Sequence, residues 1–349
     1  MNIALSNDSF LDLKYLASGV FSPLSGFLGY EEYKKVVYDM SLLNNEIWTL
    51  PITLEVPNLN DFHIGARTNL FYNNENIGSI KIRDKFSIDK KEIYEIYQSK
   101  DEKHPGIQKE LKRSKYRVGG EIKTSKKILE NTLYKGYLQD IFKDKNIQTI
   151  AGFQTRNPIH KAHEHLQRVA LELCDALFIN PLVGWKKIGD FTQDAVIKAY
   201  SVMIKDFYPQ DRVHFATLQT NMRYAGPKEA IFHAILRKNL GCTHFIIGRD
   251  HAGVGNYYET YAAQDLAKAL QDRLDIKLLL LKEPYFCKKC EQIVSDKHCK
   301  HDASQKIYIS GTKIREALSK GEIPPTSMMR KEISQSIINL GKENIFIKE

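Results

Sequence analysis

From residue 147 onward the chain repeats one pattern: a short, nearly continuous apolar run, then a longer amphipathic stretch. The runs are IQTIAGF (147–153), ALFINPL (176–182), RVHFATL (212–218), THFIIG (243–248) and IKLLLL (276–281). Between them lie predicted helices from about His163 to Asp175, across 191–207, over GPKEAIFHAILRKNL and over YAAQDLAKALQDRL. Strands without polar alternation are buried on both faces, and long connections between them accommodate crossover helices. The pattern therefore predicts a parallel sheet covered on both sides. Ligands of such sheets gather beyond the carboxyl ends of the strands, so the residues just after each run are where chemistry is expected.

The first half is different. WTLPITLEV, NLFYNNENIGSIKI and KYRVGGEI are β-type runs, and a helix is predicted over 9–18. Asn73, Asn74 and Asn76, and the pair Gly119 and Gly120, are expected at turns. The division expected is a mainly β domain over residues 1–140, an α/β domain over 141–320, and a C-terminal segment over 321–349 that is helical and then frays. A length of 349 residues leaves room for two or three domains.

Charge narrows the partners. With 51 basic and 42 acidic residues the net charge is +9. The lysines are scattered among acids, so no basic block favours nucleic acid; a mildly basic chain suits small anionic substrates. No apolar stretch approaches the roughly 20 residues of a membrane span, and the N-terminus lacks a basic region before an apolar core. A cytoplasmic protein is the expectation.

Four segments past the apolar runs carry donors. QTRNPIHKAH puts Gln154, Arg156, Asn157, His160 and His163 at a predicted helix start, with the two histidines three apart and on one side. Helix starts favour oxyanions. GRDHAGVG follows THFII with Gly248, Arg249, Asp250 and His251; the alternative is a tight loop closed by an Arg249–Asp250 pair. ISGTKIREAL offers Ser310 or Thr312 as a cap, and places Lys313 and Arg315 where a helix dipole disfavours cations unless an anion is present. NMRYAGPKEAIFHA offers Arg223. No Ser–His–Asp set or carboxylate pair is evident. Donors without a nucleophile suit transfer at phosphorus, where positioning and electrostatics supply most of the acceleration.

These segments, with FSPLSGFLG and LPITLEV in the first half, resemble the ATP sulfurylase (sulfate adenylyltransferase) family over almost the whole chain. The resemblance implies an α/β protein: an N-terminal PUA-like, mainly β domain followed by a Rossmann-like parallel-sheet nucleotidylyltransferase domain. It implies ATP plus sulfate giving adenosine 5′-phosphosulfate and pyrophosphate, with Mg2+ accompanying ATP. Gln154 and Arg156 would bind sulfate, helped by the Ala252 backbone. Thr155, Arg156 and Asn157 match the family's active-site trio. His160 and His163 would hold the phosphates, and Gly248, Arg249, Asp250 and His251 would contact ATP. A homodimer is also implied. The rivals are another nucleotidylyltransferase with a different acceptor and a non-catalytic RNA-binding module.

Of five cysteines, Cys174 and Cys242 stand alone in apolar surroundings, as reduced core residues do. The others cluster in CKKCEQIVSDKHCKH. Cys287, Cys290, Cys299 and His301 form a tetrahedral Zn2+ pattern in an insertion over 286–302, with His298 as a rival fourth ligand. With every position filled by protein, such a metal would be structural.

Overall fold

A computed structural model describes residues 2–348. The strands are β1 (Asn2–Ala4), β2 (Gly26–Phe27), β3 (Leu54–Glu55), β4 (Arg67–Tyr72), β5 (Glu75–Ser87) and β6 (Tyr116–Thr124) in the first half. There follow β7 (Ile150–Phe153), β8 (Ala176–Ile179), β9 (Val213–Phe215), β10 (His244–Ile247), β11 (Lys277–Leu280), β12 (Tyr285–Cys287), β13 (Gln292–Val294) and β14 (Lys306–Tyr308). The helices are α1 (Asn7–Ala17), α2 (Tyr30–Asp39), α3 (Lys90–Tyr97), α4 (Pro105–Leu111), α5 (Tyr137–Ile141), α6 (Lys161–Leu173), α7 (Gln193–Phe207), α8 (Gly226–Leu240), α9 (Ala262–Leu270), α10 (Gly311–Lys320) and α11 (Lys331–Ile338). No helix among the described residues is long and apolar enough to cross a membrane.

Two compact units result. The first comprises residues 1–145, 222–242 and 250–277; the second comprises 146–221, 243–249 and 278–349.

The first unit is built on a sheet of order β1-β4-β5-β6-β2, with β3 also on β6. The β4–β5 hairpin turns at Asn73 and Asn74, both at positive φ as a tight turn requires. Gly119 and Gly120 are not at a turn: both lie inside β6. A Cβ on Gly119 would collide with the Leu28 carbonyl and one on Gly120 with the Lys81 carbonyl, so the glycines admit neighbouring backbone. Helix α8 is buried on nearly every side. Its Phe232 packs edge-on to Trp48 at 5.4 Å and tilted against Phe21 at 5.5 Å. Asn239 donates to the carbonyls of Val20 and Ser22, and Thr49 donates to that of Lys228. A helix buried all round needs such partners for its polar groups.

The second unit carries the sheet expected from the apolar runs, in the order β11-β10-β7-β8-β9. The pairs β10–β7, β7–β8 and β8–β9 are parallel. Every residue of β7 and β8 is buried. Helices α6, α7, α10 and α11 contribute Leu166, Ala170, Ala199, Met203, Leu318 and Ile333 to its core. The C-terminal segment does not fray. Thr192 N–H donates to the Ile345 carbonyl, Gly189 N–H to that of Ile347, and Ile347 N–H to that of Asp190. Ile345 is buried, and Phe346 faces Phe191 at 4.9 Å. The tail is held because it completes a short pairing with the 189–192 loop.

Candidate active site and metal centre

Strand β7 ends at Phe153, and the loop 154–160 is tied back to the sheet where Leu182 N–H donates to the Thr155 carbonyl. The Thr155 hydroxyl bonds within the loop: it accepts from Asn157 N–H at 3.0 Å and reaches the Asn157 carbonyl. It therefore shapes the loop, while Gln154, Arg156, Asn157 and His160 remain half-buried at its rim. The third donor segment arrives at the same place. Ser310, not Thr312, caps α10 through Lys313 N–H. Arg315, one turn in, donates to Asn157 Oδ1 at 3.1 Å.

The centre of this cluster is a residue that the sequence reading missed. Asp190 is 1% exposed and lies 3.6 Å from Arg156 Nε, 3.3 Å from Lys187 Nζ and 3.8 Å from Arg315 Nη2. Lys186 is buried beside it, donating to the Phe191 carbonyl at 2.6 Å. Burial pushes the Lys186 ammonium down to about 8; Asp190 opposes that and Arg156 adds to it. Asp190 is thus a buried carboxylate faced by several cationic side chains, which concentrates fixed positive charge at this strand end. The signal was present: WKKIGD follows the β8 run, and the rule about strand ends applied there too.

Next to it, His160 is the N-cap of α6, with its Nδ1 3.5 Å from His163 N–H. The two imidazoles stack at 3.7 Å, nearly parallel. Desolvation, then the His163 ring and Arg315, drive the His160 pKa well below its ordinary value. Desolvation takes His163 down to about 4, with the Pro158 carbonyl pulling the other way. Both rings are thus neutral at pH 7. They act as N–H donors at a helix start and do not repel one another as two cations would. His163 Nδ1 is buried without a hydrogen-bond partner.

Arg249, just past β10, is half exposed and pairs with Glu283 at 3.1 Å, so the Arg249–Asp250 pairing considered from the sequence does not form its salt bridge. Asp250, His251 and Ala252 belong to the first unit. Asp250 and Ala252 take positive φ, and a Cβ on Gly253 would collide with the Asp250 carboxylate. A side chain at 253 would have to displace that carboxylate. Gly248 is in ordinary space, its nearest neighbour being Leu166. Arg223 is corrected: it is committed to Asp12 at 3.0 Å, in a pair set over the Phe232 ring, and is not a free anion ligand.

The metal cluster forms a small module. β12, β13 and β14 make a three-stranded antiparallel sheet over a core of only Tyr285, Cys287 and Val294. The ligand atoms of Cys287, Cys290, Cys299 and His301 all lie within 4.8 Å of one another. His301 Nδ1 is 3.3 Å from the Cys287 and Cys290 sulfurs and 3.6 Å from that of Cys299, and Cys290 and Cys299 are 3.8 Å apart. A tetrahedral zinc with Zn–S of about 2.3 Å and Zn–N of about 2.0–2.1 Å sets S···S near about 3.8 Å and S···N near about 3.6 Å. The residues fit that ion. His298 is turned away, bonded to Ser295 and stacked on His165 of α6 at 5.8 Å. Cys174 and Cys242 are buried and not in a disulfide.

A buried parallel sheet whose strand end presents arginines, an N-capping His-x-x-His turn and no nucleophile–base pair defines a nucleotidyltransferase. Residues 132–340 match the ATP-sulfurylase family model, and residues 1–127 match that of the PUA-like domain. A sulfate adenylyltransferase of Pyrococcus abyssi is 44% identical over 94% of this chain and 87% of its own length. One of Staphylothermus marinus is 41% identical over 97% and 90%. The solved structure of a hexameric APS kinase from Thiobacillus denitrificans matches the fold with a TM-score of 0.73 at 17% identity, covering 98% of this chain. This chain spans 63% of that one. The chain belongs to the ATP-sulfurylase family.

Proposed function

We infer that the chain activates sulfate, converting ATP and sulfate to adenosine 5′-phosphosulfate and pyrophosphate by direct in-line displacement at the α-phosphorus. Sulfate is fully ionised at neutral pH and needs no general base. The difficulty is bringing two polyanions together, and the answer to that is fixed positive charge. The observation that carries the reading is the cluster around Asp190: two arginines and two lysines share one buried carboxylate at the end of the parallel sheet. Gln154 and Arg156 take sulfate, with the Ala252 amide. Thr155 and Asn157 set the loop, and Arg315 reinforces Asn157. His160 and His163 donate neutral N–H groups to the phosphates and to the charge that grows as pyrophosphate leaves. Gly248, Arg249, Asp250 and His251 contact ATP.

Among the described residues, the Cys–His cluster is the one group of three or more His, Cys, Asp or Glu able to hold a metal. Mg2+ accompanies the nucleotide, as the family resemblance implies. We assign the cluster to a structural Zn2+. Residues 1–140 act as the PUA-like domain, 141–320 as the catalytic domain with its insertion at 286–302, and 321–349 as a supporting segment, in a cytoplasmic homodimer. The test is pyrophosphate release from MgATP with and without sulfate. Sulfate-dependent release supports the reading; release that ignores sulfate, or salt-sensitive RNA binding without turnover, overturns it.

A further inference from the structure

The core of the second unit holds a line of polar side chains that the reaction as described does not use. Tyr208 Oη, at the C-terminal end of α7, donates to Gln167 Oε1 of α6 at 2.7 Å. Gln167 Nε2 donates to Tyr200 Oη of α7 at 3.2 Å. Tyr200 is hydrogen-bonded in turn to the Thr155 side chain. Gln167 and Tyr200 are fully buried, and Thr155 and Tyr208 nearly so. The same core contains Leu166, Ala170, Ala199 and Met203. Apolar side chains would serve packing there equally well, since a buried network replaced whole by apolar groups of the same shape costs little. A line of bonds kept in such a place needs another reason, and its inner end supplies one.

The Thr155 hydroxyl has one proton and two lone pairs to offer. Asn157 N–H, 3.0 Å away, can only donate to it, and the Asn157 carbonyl, 3.2 Å away, can only accept. One lone pair is left, and the Tyr200 hydroxyl must donate to it. Gln167 donates to the Tyr200 oxygen, which leaves the Tyr200 proton for this bond. Three protein groups thus fill the Thr155 hydroxyl, and it has nothing left to give a substrate. It ties both backbone groups of Asn157 into one turn, with Arg156 between them. Tyr200, Gln167 and Tyr208 anchor that turn to two helices.

We propose that Thr155, Tyr200 and Gln167 are positioning residues for the sulfate-binding loop: the line of bonds from α6 and α7 fixes the Thr155 hydroxyl, which holds Arg156 and Asn157 in the geometry that receives the oxyanion. The inference rests on the reading of residues 154–157 as the sulfate loop. A loop that binds by fixed charge loses its advantage if the charge can wander, so support from rigid elements behind it matters.

The test is a double-mutant cycle between Tyr200→Phe and Thr155→Val, each of which removes one hydroxyl and nearly keeps the shape of the side chain. Tyr200→Phe lowers kcat/KM for sulfate about three- to tenfold, the size of one neutral hydrogen bond, with KM for ATP within twofold. In the Thr155→Val background the same change lowers it no further. Thr155→Ser keeps the hydroxyl, and in that background the sensitivity to Tyr200→Phe returns. Gln167→Leu, one bond further out, gives a smaller fall in the same constant. Additive losses from Tyr200→Phe and Thr155→Val overturn the proposal, and so does lost stability in Tyr200→Phe with kinetics unchanged. Urea unfolding of wild type, the two single variants and the double variant reads the bond without an assay. Destabilisation of the double variant by less than the sum of the singles supports the proposal; additive values overturn it. If wild type shows no sulfate-dependent turnover, the parent reading fails, and the unfolding cycle still decides whether the two hydroxyls act as one.

Discussion

The cation cluster around Asp190 and the Cys–His cluster lie in the same unit and are opposites. In the second, every ligand atom faces one point and the spacings match a single small ion. In the first, Asp190 lies 3.3 to 3.8 Å from three cations, and the two imidazoles beside it are kept neutral. On the proposed reading the first, open cluster serves binding and the second, closed one stability. The Tyr285–Cys287–Val294 core is small, and Ile293 and Ile307 lean on the main core of the unit; a metal held by the closed cluster would add folding energy.

The contrast breaks most clearly at the open cluster. Arg156→Ala or His163→Ala should cut turnover by about 10²-fold or more while circular dichroism and melting stay normal; near-normal rates in either would mean that the open cluster is not where the chemistry occurs. Cys290→Ser should do the reverse, with loss of bound zinc and a melting temperature lower by about 10 °C, yet with kcat at 25 °C close to wild type in the folded fraction. Unchanged melting and metal content would remove the closed cluster from the stability argument. Asp190→Asn sharpens the comparison. It leaves Arg156 and Arg315 without their shared counter-charge, and steady-state kinetics should show KM for sulfate about tenfold higher with a smaller change for ATP. An equal effect on both substrates would make Asp190 merely structural.

The smallest effect is in pH. His163 has a pKa of about 4 here and an ordinary value near 6.5, so between those values the unfolded chain binds more protons. Stability should therefore rise as pH increases from about 4 to 6.5. Glu164, ion-paired with Arg330 and Arg168, is down near 2 against its burial, and adds a second rise between about 2 and 4.5. Melting temperatures across pH 4–6.5 should flatten in His163→Phe; an unchanged slope would show that other groups carry it.

Much of this was legible. Five apolar runs located the five strands of this sheet, and the strand-end rule located Arg156, the histidine pair and Arg249. Cysteine spacing located the metal cluster, but only geometry chose His301 over His298. Less visible was anything depending on distant partners. Gly119 and Gly120 look like a turn until the carbonyls of Leu28 and Lys81 are seen against them. Arg223 looks like an anion ligand until Asp12, 211 residues earlier, claims it. Asp190 sat among ordinary loop charges, and no periodicity marks a residue whose role is to face three cations. The packing of α8 against Phe21 and Trp48 was likewise hidden, because GPKEAIFHAILRKNL mixes charged and apolar residues and names no neighbours.

The tail makes a last point. Ile345 and Ile347 hold both sides of the short loop from Gly189 to Thr192, and that loop carries Asp190. Ile345 and Ile347 thus act as a strut beneath the proposed anion site, far away in sequence and one hydrogen bond away in space. Clipping residues 345–348 should loosen Arg156 and Arg315 before it harms any helix, and a fused partner tugging on this end would be felt first as weaker sulfate capture.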